Sequence, residues 1–201
     1  LDLGGPRPRA LLALLALHRG SVVSSDRIVE DLWGDESPGS ARHMVVVYVS
    51  RLRKRLGDDI VLTRRPGYLL QLGAEQVDAA RFERLVAEGR EALAAEDADS
   101  AAARLGEALA LWRGPALGDF AYEPFAQAEI ARLEELRLQA EEERIEAELA
   151  RGHGTELVAE LETLVAAAPL RERRRAQHML ALYRSGRQAD ALSAYQEARL
   201  A

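Results

Sequence analysis

Residues 42–56 alternate between hydrophobic and polar positions with the period of an α-helix. At about 100° per residue, positions i, i+4, i+7 and i+11 lie within about 60° of one another. Hydrophobic side chains occupy these positions, and they are Val45, Val49, Leu52 and Leu56. The spacing predicts a helix that buries this stripe and exposes the opposite side.

The opposite side of this predicted helix combines small or apolar side chains with cations. Methyl groups can contact thymine in the DNA major groove, and arginine can bind guanine through two hydrogen bonds, so this side is suited to reading bases. The arginine run alone favours the alternative of a solvated basic surface. The residues that share this side are His43, Val47, Ser50, Arg51 and Lys54.

A short basic β-hairpin is predicted directly after the helix, and it favours DNA binding over a solvated basic surface. Residues 60–62 are β-formers, the Pro66–Gly67 pair is typical of a turn, and residues 68–72 run back. Arg64 and Arg65 lie near the tip, where long cations can contact a phosphate or a narrow minor groove. Helix, hairpin and paired arginines together predict a winged helix that binds DNA.

Two shorter helices are predicted before the basic helix, over residues 8–18 and 26–33. Ser24 or Ser25 is expected to cap the second helix, and Ser40 the basic helix. Three helices with short connections and a wing form the helix-turn-helix plan, in which the last helix enters the groove. Trp33 has two interpretations: its indole N–H donates to a phosphate, or its ring closes the core.

The second half of the chain has helical periodicity throughout. Helices are predicted over 80–95, 99–112, 126–150, 155–168, 171–185 and 188–200, the first two as an antiparallel pair around Gly89 and Leu105. Gly186, Ala191 and Tyr195 have a spacing that resembles a tetratricopeptide repeat. Such stacked helix pairs form protein-binding surfaces, and a plain helical bundle is the alternative. The predicted fold class is therefore mainly α, a winged helix-turn-helix followed by an all-α tetratricopeptide-like domain.

Net charge becomes informative when the 201-residue chain is divided. The whole chain carries −6, but residues 1–72 hold 11 basic and 8 acidic side chains, and residues 73–201 hold 16 and 25. Residues 42–65 hold seven cations against two anions, a local charge of +5. DNA affinity depends on this local field over a Debye length of about 8–10 Å, not on the chain total.

Composition and motif searches narrow the possible functions further. The sequence has no cysteine, no apolar run of membrane-spanning length, and no catalytic triad or nucleotide-binding motif. We therefore expect no enzyme activity, no cofactor, no metal site and no membrane partner, and a cytoplasmic location. The glutamates at 134–135 and 141–143 are predicted to be solvated. For the arginines of 171–175, a solvated or intramolecularly paired surface is favoured, and a contact with DNA or with an acidic partner remains the alternative.

These segments resemble a known family. DRIVEDLWG, SARHMVVVYVSRLRKRLG and TRRPGYLL, at 26–34, 40–57 and 63–70, resemble the output domain of OmpR-type response regulators. VDAARFERLVAEGREAL and ALALWRGPALGDF, at 77–93 and 108–120, together with residues 131–149 and 169–199, extend the resemblance to the Streptomyces antibiotic regulatory protein family. The second half of that family is a helical bacterial transcriptional activation domain.

The resemblance implies a role for each matching residue. Base contacts would come from His43, Val47, Ser50 and Arg51. Phosphate contacts would come from Arg42, Tyr48, Arg53 and Lys54, with Trp33 added from its position. The wing residues entering the minor groove would be Arg64 and Arg65. Ser50 departs from the cation common at its position, and residues 173–175 stand where a large apolar side chain is expected.

The resemblance also predicts domain limits and partners. Residues 1–73 would be the DNA-binding domain, with its N-terminal sheet truncated in a piece of a longer regulator, and residues 76–201 the activation domain. The expected function is activation of a secondary-metabolite gene cluster from direct repeats near the −35 promoter element. Its partners would be double-stranded DNA, RNA polymerase with its sigma factor, and a second copy in a head-to-tail dimer. The alternative is a helical scaffold whose winged helix binds protein.

Overall fold

A computed structural model describes residues 3–200 of the chain. Its contacts divide the chain into two compact units. The first unit combines the described part of Leu1–Arg81 with Gly114–Glu134, and the second combines Phe82–Arg113 with the described part of Glu135–Ala201. No helix within residues 3–200 is long and apolar enough to cross a membrane.

The first unit contains a three-helix arrangement and a small antiparallel sheet. Its elements are α1 (Pro6–Leu17), β1 (Val23–Ser24), α2 (Ser25–Trp33), α3 (Ala41–Leu56), β2 (Val61–Arg64) and β3 (Gly67–Leu70). The strand order is β1-β3-β2. The predicted winged helix-turn-helix is confirmed, with β2 and β3 as the wing. Ahead of α1, where the sequence predicts a truncated sheet, residues 1–2 lie outside the described residues, and Leu3 and Gly4 have no regular structure.

Both predicted caps occupy the N-cap position of their helix, but only that of α2 forms a side-chain capping bond. The Ser24 hydroxyl accepts a hydrogen bond from the Arg27 backbone N–H at 3.2 Å, which satisfies a free donor at the start of α2. Ser40 makes no side-chain capping bond. Instead, the Ala41 N–H donates to the Pro38 carbonyl at 2.8 Å, so a backbone turn satisfies the first donor of α3.

Strand β1 has only two residues and was not predicted from the sequence. It pairs with β3 through Val23 opposite Tyr68 and Ser24 opposite Gly67. A Cβ added at Gly67 would lie 1.9 Å from the Val23 carbonyl oxygen. The absence of a side chain at Gly67 therefore permits β1 to approach, and the sheet has three strands for that reason.

The core of the first unit is formed by α1, α2, α3 and all three strands. Leu11, Leu14, Ile28, Leu52 and Leu70 are fully buried in it. Phe120 and Phe125, from the segment Gly114–Glu134, pack against the same core. The Arg9 guanidinium donates to the Asp119 carboxylate at 3.1 Å in the same region. The segment is thus part of this unit's packing, although it lies far away along the chain.

The predicted helices of the second half are confirmed to within a few residues. They are α4 (Asp78–Ala94), α5 (Ala98–Leu109), α6 (Pro124–Ala150), α7 (Gly154–Ala167), α8 (Glu172–Arg184) and α9 (Gln188–Leu200). The α4–α5 pair meets at Gly89, where an added Cβ would lie 2.6 Å from Leu105 Cγ. Ile145, Leu157, Leu161 and Leu182 form a core for the later helices.

The expectation that the glutamates at 141–143 are solvated is wrong. Glu142 and Glu143 are buried, and Glu142 pairs with Arg171 at 2.9 Å. Arg174 is only 2% exposed and contacts Glu141 at 2.7 Å. A buried charge requires an opposite charge within reach, and Arg171 supplies it for Glu142 whereas Arg90 supplies it for Glu143 at 2.9 Å. The intramolecularly paired alternative is thus observed for Arg171, Arg173 and Arg174.

Candidate nucleic-acid interface

Helix α3 presents one buried and one exposed side, as its sequence pattern predicts. Val45, Val49 and Leu52 are at most 1% exposed, whereas Leu56 is half-buried at the edge of the core. These side chains fasten α3 to α1 and α2. The remaining side of the helix faces solvent along most of its length, so it is available to a groove of DNA.

The four residues predicted to read bases lie on this outward side of α3. His43, Ser50 and Arg51 are exposed, and Val47 is half-buried. The structure brings them together along one strip because they recur at intervals of about one helical turn. Val46, beside the strip, is 53% exposed, so apolar methyl groups and a guanidinium face outward together.

Five cations of this surface have no internal ion-pair partner among residues 3–200. Arg51, Lys54 and Arg55 lie on α3, and Arg64 and Arg65 lie at the tip of the wing, all exposed. By contrast, Arg42 pairs with Asp26 at 2.5 Å. A cation without an internal partner keeps its full attraction for phosphate, and it releases counterions when it binds. The helix and the wing thus offer separate anion-binding points.

Arg53 contacts the wing instead of facing freely outward. Its Nε donates to the Val61 carbonyl at 2.7 Å, and its Nη2 donates to the Thr63 hydroxyl at 2.8 Å. Val61 and Thr63 both belong to β2, so one guanidinium joins α3 to the wing. The sequence prediction missed Thr63. Strand alternation from the buried Val61 was the signal that places Thr63 on the same side of β2.

Trp33 and Tyr48 form a stacked aromatic pair between α2 and α3. Their ring centroids lie 6.2 Å apart with an interplanar angle of 17°. The Arg7 guanidinium from α1 lies over the Trp33 ring, 5.7 Å from its centroid, and also donates to the Leu32 carbonyl. Both aromatic residues are half-buried against the core. Arg7 was missed, since only the folded chain brings residues 7, 33 and 48 together.

Fold and surface together define a class of protein. A winged helix with exposed cations on α3 and the wing, followed by a helical domain, is the architecture of a bacterial transcription regulator. The family model for the bacterial transcriptional activator domain matches residues 77–201, and the one for the C-terminal domain of transcriptional regulatory proteins matches residues 4–70. The chain belongs to the Streptomyces antibiotic regulatory protein family of transcriptional regulators.

Individual relatives agree with this assignment. The chain is 38% identical to the regulatory protein DnrI of Streptomyces peucetius, over 94% of this chain and 74% of that protein. It is 42% identical to AfsR of Streptomyces coelicolor, over 99% of this chain but 20% of that protein. The chain thus spans about a fifth of the AfsR sequence. All these relatives are named as regulators and not as enzymes.

A solved structure has the same fold. The Mycobacterium tuberculosis protein EmbR, in complex with a low affinity phosphopeptide, superposes with a TM-score of 0.94 at 35% identity. The match covers 98% of this chain and 54% of that chain. The predicted fold class, a winged helix followed by a helical domain, is therefore confirmed.

Proposed function

We propose that this chain binds specific promoter DNA through α3 and the wing, and activates transcription through its helical half. The observation that carries the proposal is the set of exposed cations on the helix and wing that lack an ion-pair partner within residues 3–200. These are Arg51, Lys54, Arg55, Arg64 and Arg65. Residues 1–73 form the DNA-binding part and residues 76–201 the activating part.

Within this proposal, the surface divides into base contacts and backbone contacts. His43, Val47, Ser50 and Arg51 contact base edges because they lie along the outward strip of α3. Arg42, Lys54 and the Tyr48–Trp33 pair flank that strip and contact phosphates. Arg64 and Arg65 enter the minor groove from the wing, because both are exposed at the tip of the hairpin.

The operator would consist of direct repeats near the −35 element, as the family resemblance implies. Copies on direct repeats are related by translation along the DNA, so they meet through two different surfaces in a head-to-tail dimer. The helical half then contacts RNA polymerase or its sigma factor and switches on a secondary-metabolite cluster. This activity places the protein on the nucleoid in the cytoplasm.

Selection from a randomised duplex library at two salt concentrations tests the DNA-binding proposal. We expect a short repeated motif to be enriched, with an affinity that falls steeply as salt rises. The double charge reversal Arg51→Glu and Arg64→Glu should abolish the enrichment. The double reversal Arg104→Glu and Arg187→Glu, an equal charge change at two exposed arginines of the second unit, should leave it intact. If no motif is enriched at either salt concentration, the winged helix is better explained as a protein-binding scaffold.

A further inference from the structure

A surface groove in the second unit lies between the turn before α8, helix α8 itself and helix α9. Its volume is about 350 Å³, within the range of ligand-binding clefts. Both apolar and charged side chains line it, among them Leu170, Glu172, Arg175, Met179, Tyr195 and Arg199. The groove lies wholly in the second unit, away from α3 and the wing along the chain.

Arg175 has a hydrogen-bond donor in this groove that finds no acceptor within the described residues. Its neighbours Arg171, Arg173 and Arg174 each form ion pairs with glutamates of α6. Arg175 points about 100° around the axis of α8 from Arg174 and has no ion pair within the described part of the chain. Its Nε is buried and lacks a hydrogen-bond acceptor. A buried donor without an acceptor is costly, so this atom indicates an acceptor supplied from outside the chain.

The apolar lining of the groove is open to solvent. Leu170 is 81% exposed and Tyr195 is 50% exposed. Small-molecule sites enclose most of their ligand, whereas these side chains would leave a small ligand largely in water. Exposed apolar patches with a polar rim are typical of protein contacts, and the flexible Met179 can adapt to an inserted side chain. A segment of polypeptide therefore fits the groove better than a metabolite.

Charge restricts the nature of that polypeptide. Arg175 and Arg199 outnumber Glu172 in the lining, although residues 73–201 hold 25 acidic and 16 basic side chains. A duplex would need several phosphate contacts beyond the groove, but the neighbouring Arg171, Arg173 and Arg174 are already paired with glutamates of α6. A short peptide can place a single carboxylate on Arg175 and keep its remaining length outside. We infer that the groove binds an acidic peptide segment of a partner protein, with an apolar side chain between Leu170 and Tyr195 and a carboxylate on Arg175.

A display library of random dodecapeptides, selected on the full 201-residue chain and counter-selected on Arg175→Gln, tests this inference. We expect the recovered peptides to carry Asp or Glu within a few positions of Leu, Phe or Trp. In fluorescence anisotropy, Arg175→Gln should weaken the best peptide about tenfold because a charge-assisted hydrogen bond is lost. Tyr195→Ala should weaken it as well. Arg173→Gln, the same change on a different side of α8, is the matched control.

Three results would overturn the inference. The first is that no selected peptide distinguishes the wild-type chain from Arg175→Gln, and the second is that Arg173→Gln weakens peptide binding as much as Arg175→Gln does. The third is that Arg175→Gln weakens binding to a promoter duplex, which would assign this arginine to DNA. Because the selection uses no DNA, its failure leaves the proposed function of α3 and the wing untouched.

Discussion

The Nε of Arg53 donates a hydrogen bond to the Val61 carbonyl oxygen at 2.7 Å, which joins the recognition helix to the first strand of the wing. Arg53 also reaches the Thr63 hydroxyl with a second nitrogen. The sequence alone predicts this residue to be a phosphate contact. The structure adds a positioning role, because both hydrogen bonds connect α3 to β2.

The charge-conserving substitution Arg53→Lys separates these two roles. Lysine keeps the positive charge but cannot reproduce the two hydrogen bonds of the planar guanidinium. We expect Arg53→Lys to weaken binding to a cognate duplex nearly as much as Arg53→Ala, about tenfold or more. Titration of a labelled duplex at fixed salt measures both. Full recovery by lysine would show that Arg53 acts mainly as a point charge on phosphate.

Arg51 and Lys54 are expected to differ in what they read. Arg51→Ala should cost about 1–3 kcal/mol on a cognate site and relax specificity at one base position, since it removes a base-edge contact. Lys54→Ala should weaken all duplexes alike and reduce the salt slope by about one unit. Affinities for the cognate site and for single-base variants, each across a salt series, measure this. Identical behaviour of both variants would contradict the division of α3 into base and phosphate contacts.

Gly67 should tolerate no side chain. Alanine there would place Cβ 1.9 Å from the Val23 carbonyl oxygen and 2.7 Å from the Ser24 Cα, so β1 and β3 must separate. We expect Gly67→Ala to lower the free energy of unfolding by at least about 1–3 kcal/mol and to weaken DNA binding. Gly39→Ala is the control because a Cβ at Gly39 meets nothing within 4 Å. Equal denaturant midpoints for the two variants would mean that the sheet accommodates the added methyl group without loss of stability.

Phe125 should stabilise the first unit even though it lies in the second half of the sequence. It packs against the core of the winged helix and contacts Phe120, with ring centroids 6.1 Å apart. Phe125→Ala should cost about 1–3 kcal/mol of stability and lower the temperature at which DNA binding is lost. Tyr122→Ala is the control, since Tyr122 is 99% exposed. A thermal melt unchanged by Phe125→Ala would remove this segment from the unit's core.

The helices were predictable because each one buries a regular stripe and ends at turn-forming residues. Helix α8 was predicted over 171–185 and is found at Glu172–Arg184. Strand β1 was not predictable, because two residues carry no periodicity and only the close approach at Gly67 creates the pairing. The burial of Glu142 was also hidden from the sequence. A run of charged residues is typical of a solvated helix surface, and the sequence does not show which residues of another helix will pair with it.

The same limit applies to the DNA-binding surface. The outward strip of α3 follows from periodicity alone, which is why His43 and Arg51 were placed together. The Arg53 contact with β2 and the Arg7 contact with Trp33 depend on tertiary packing. Sequence patterns identify which side of a helix faces outward. They do not identify which outward cations are held by other parts of the chain.

We expect the volume of the buried Arg174 side chain to contribute more to the stability of the protein than its positive charge does. It stands in the stretch where relatives of this chain are expected to carry a large apolar residue. Its Nε has no hydrogen-bond acceptor. If Arg174 is removed, Glu142 keeps Arg171 at 2.9 Å and Glu141 keeps Arg137 at 3.3 Å, so neither carboxylate is left unpaired.

Arg174→Met should therefore change the free energy of unfolding by less than about 1 kcal/mol, because an apolar side chain of similar size often replaces a buried ion without loss. Arg174→Ala should cost about 2–4 kcal/mol, since it leaves a cavity beneath α8. Denaturant unfolding of both variants measures the difference. If methionine destabilises the protein as much as alanine does, the positive charge itself is required to neutralise the buried glutamates of α6.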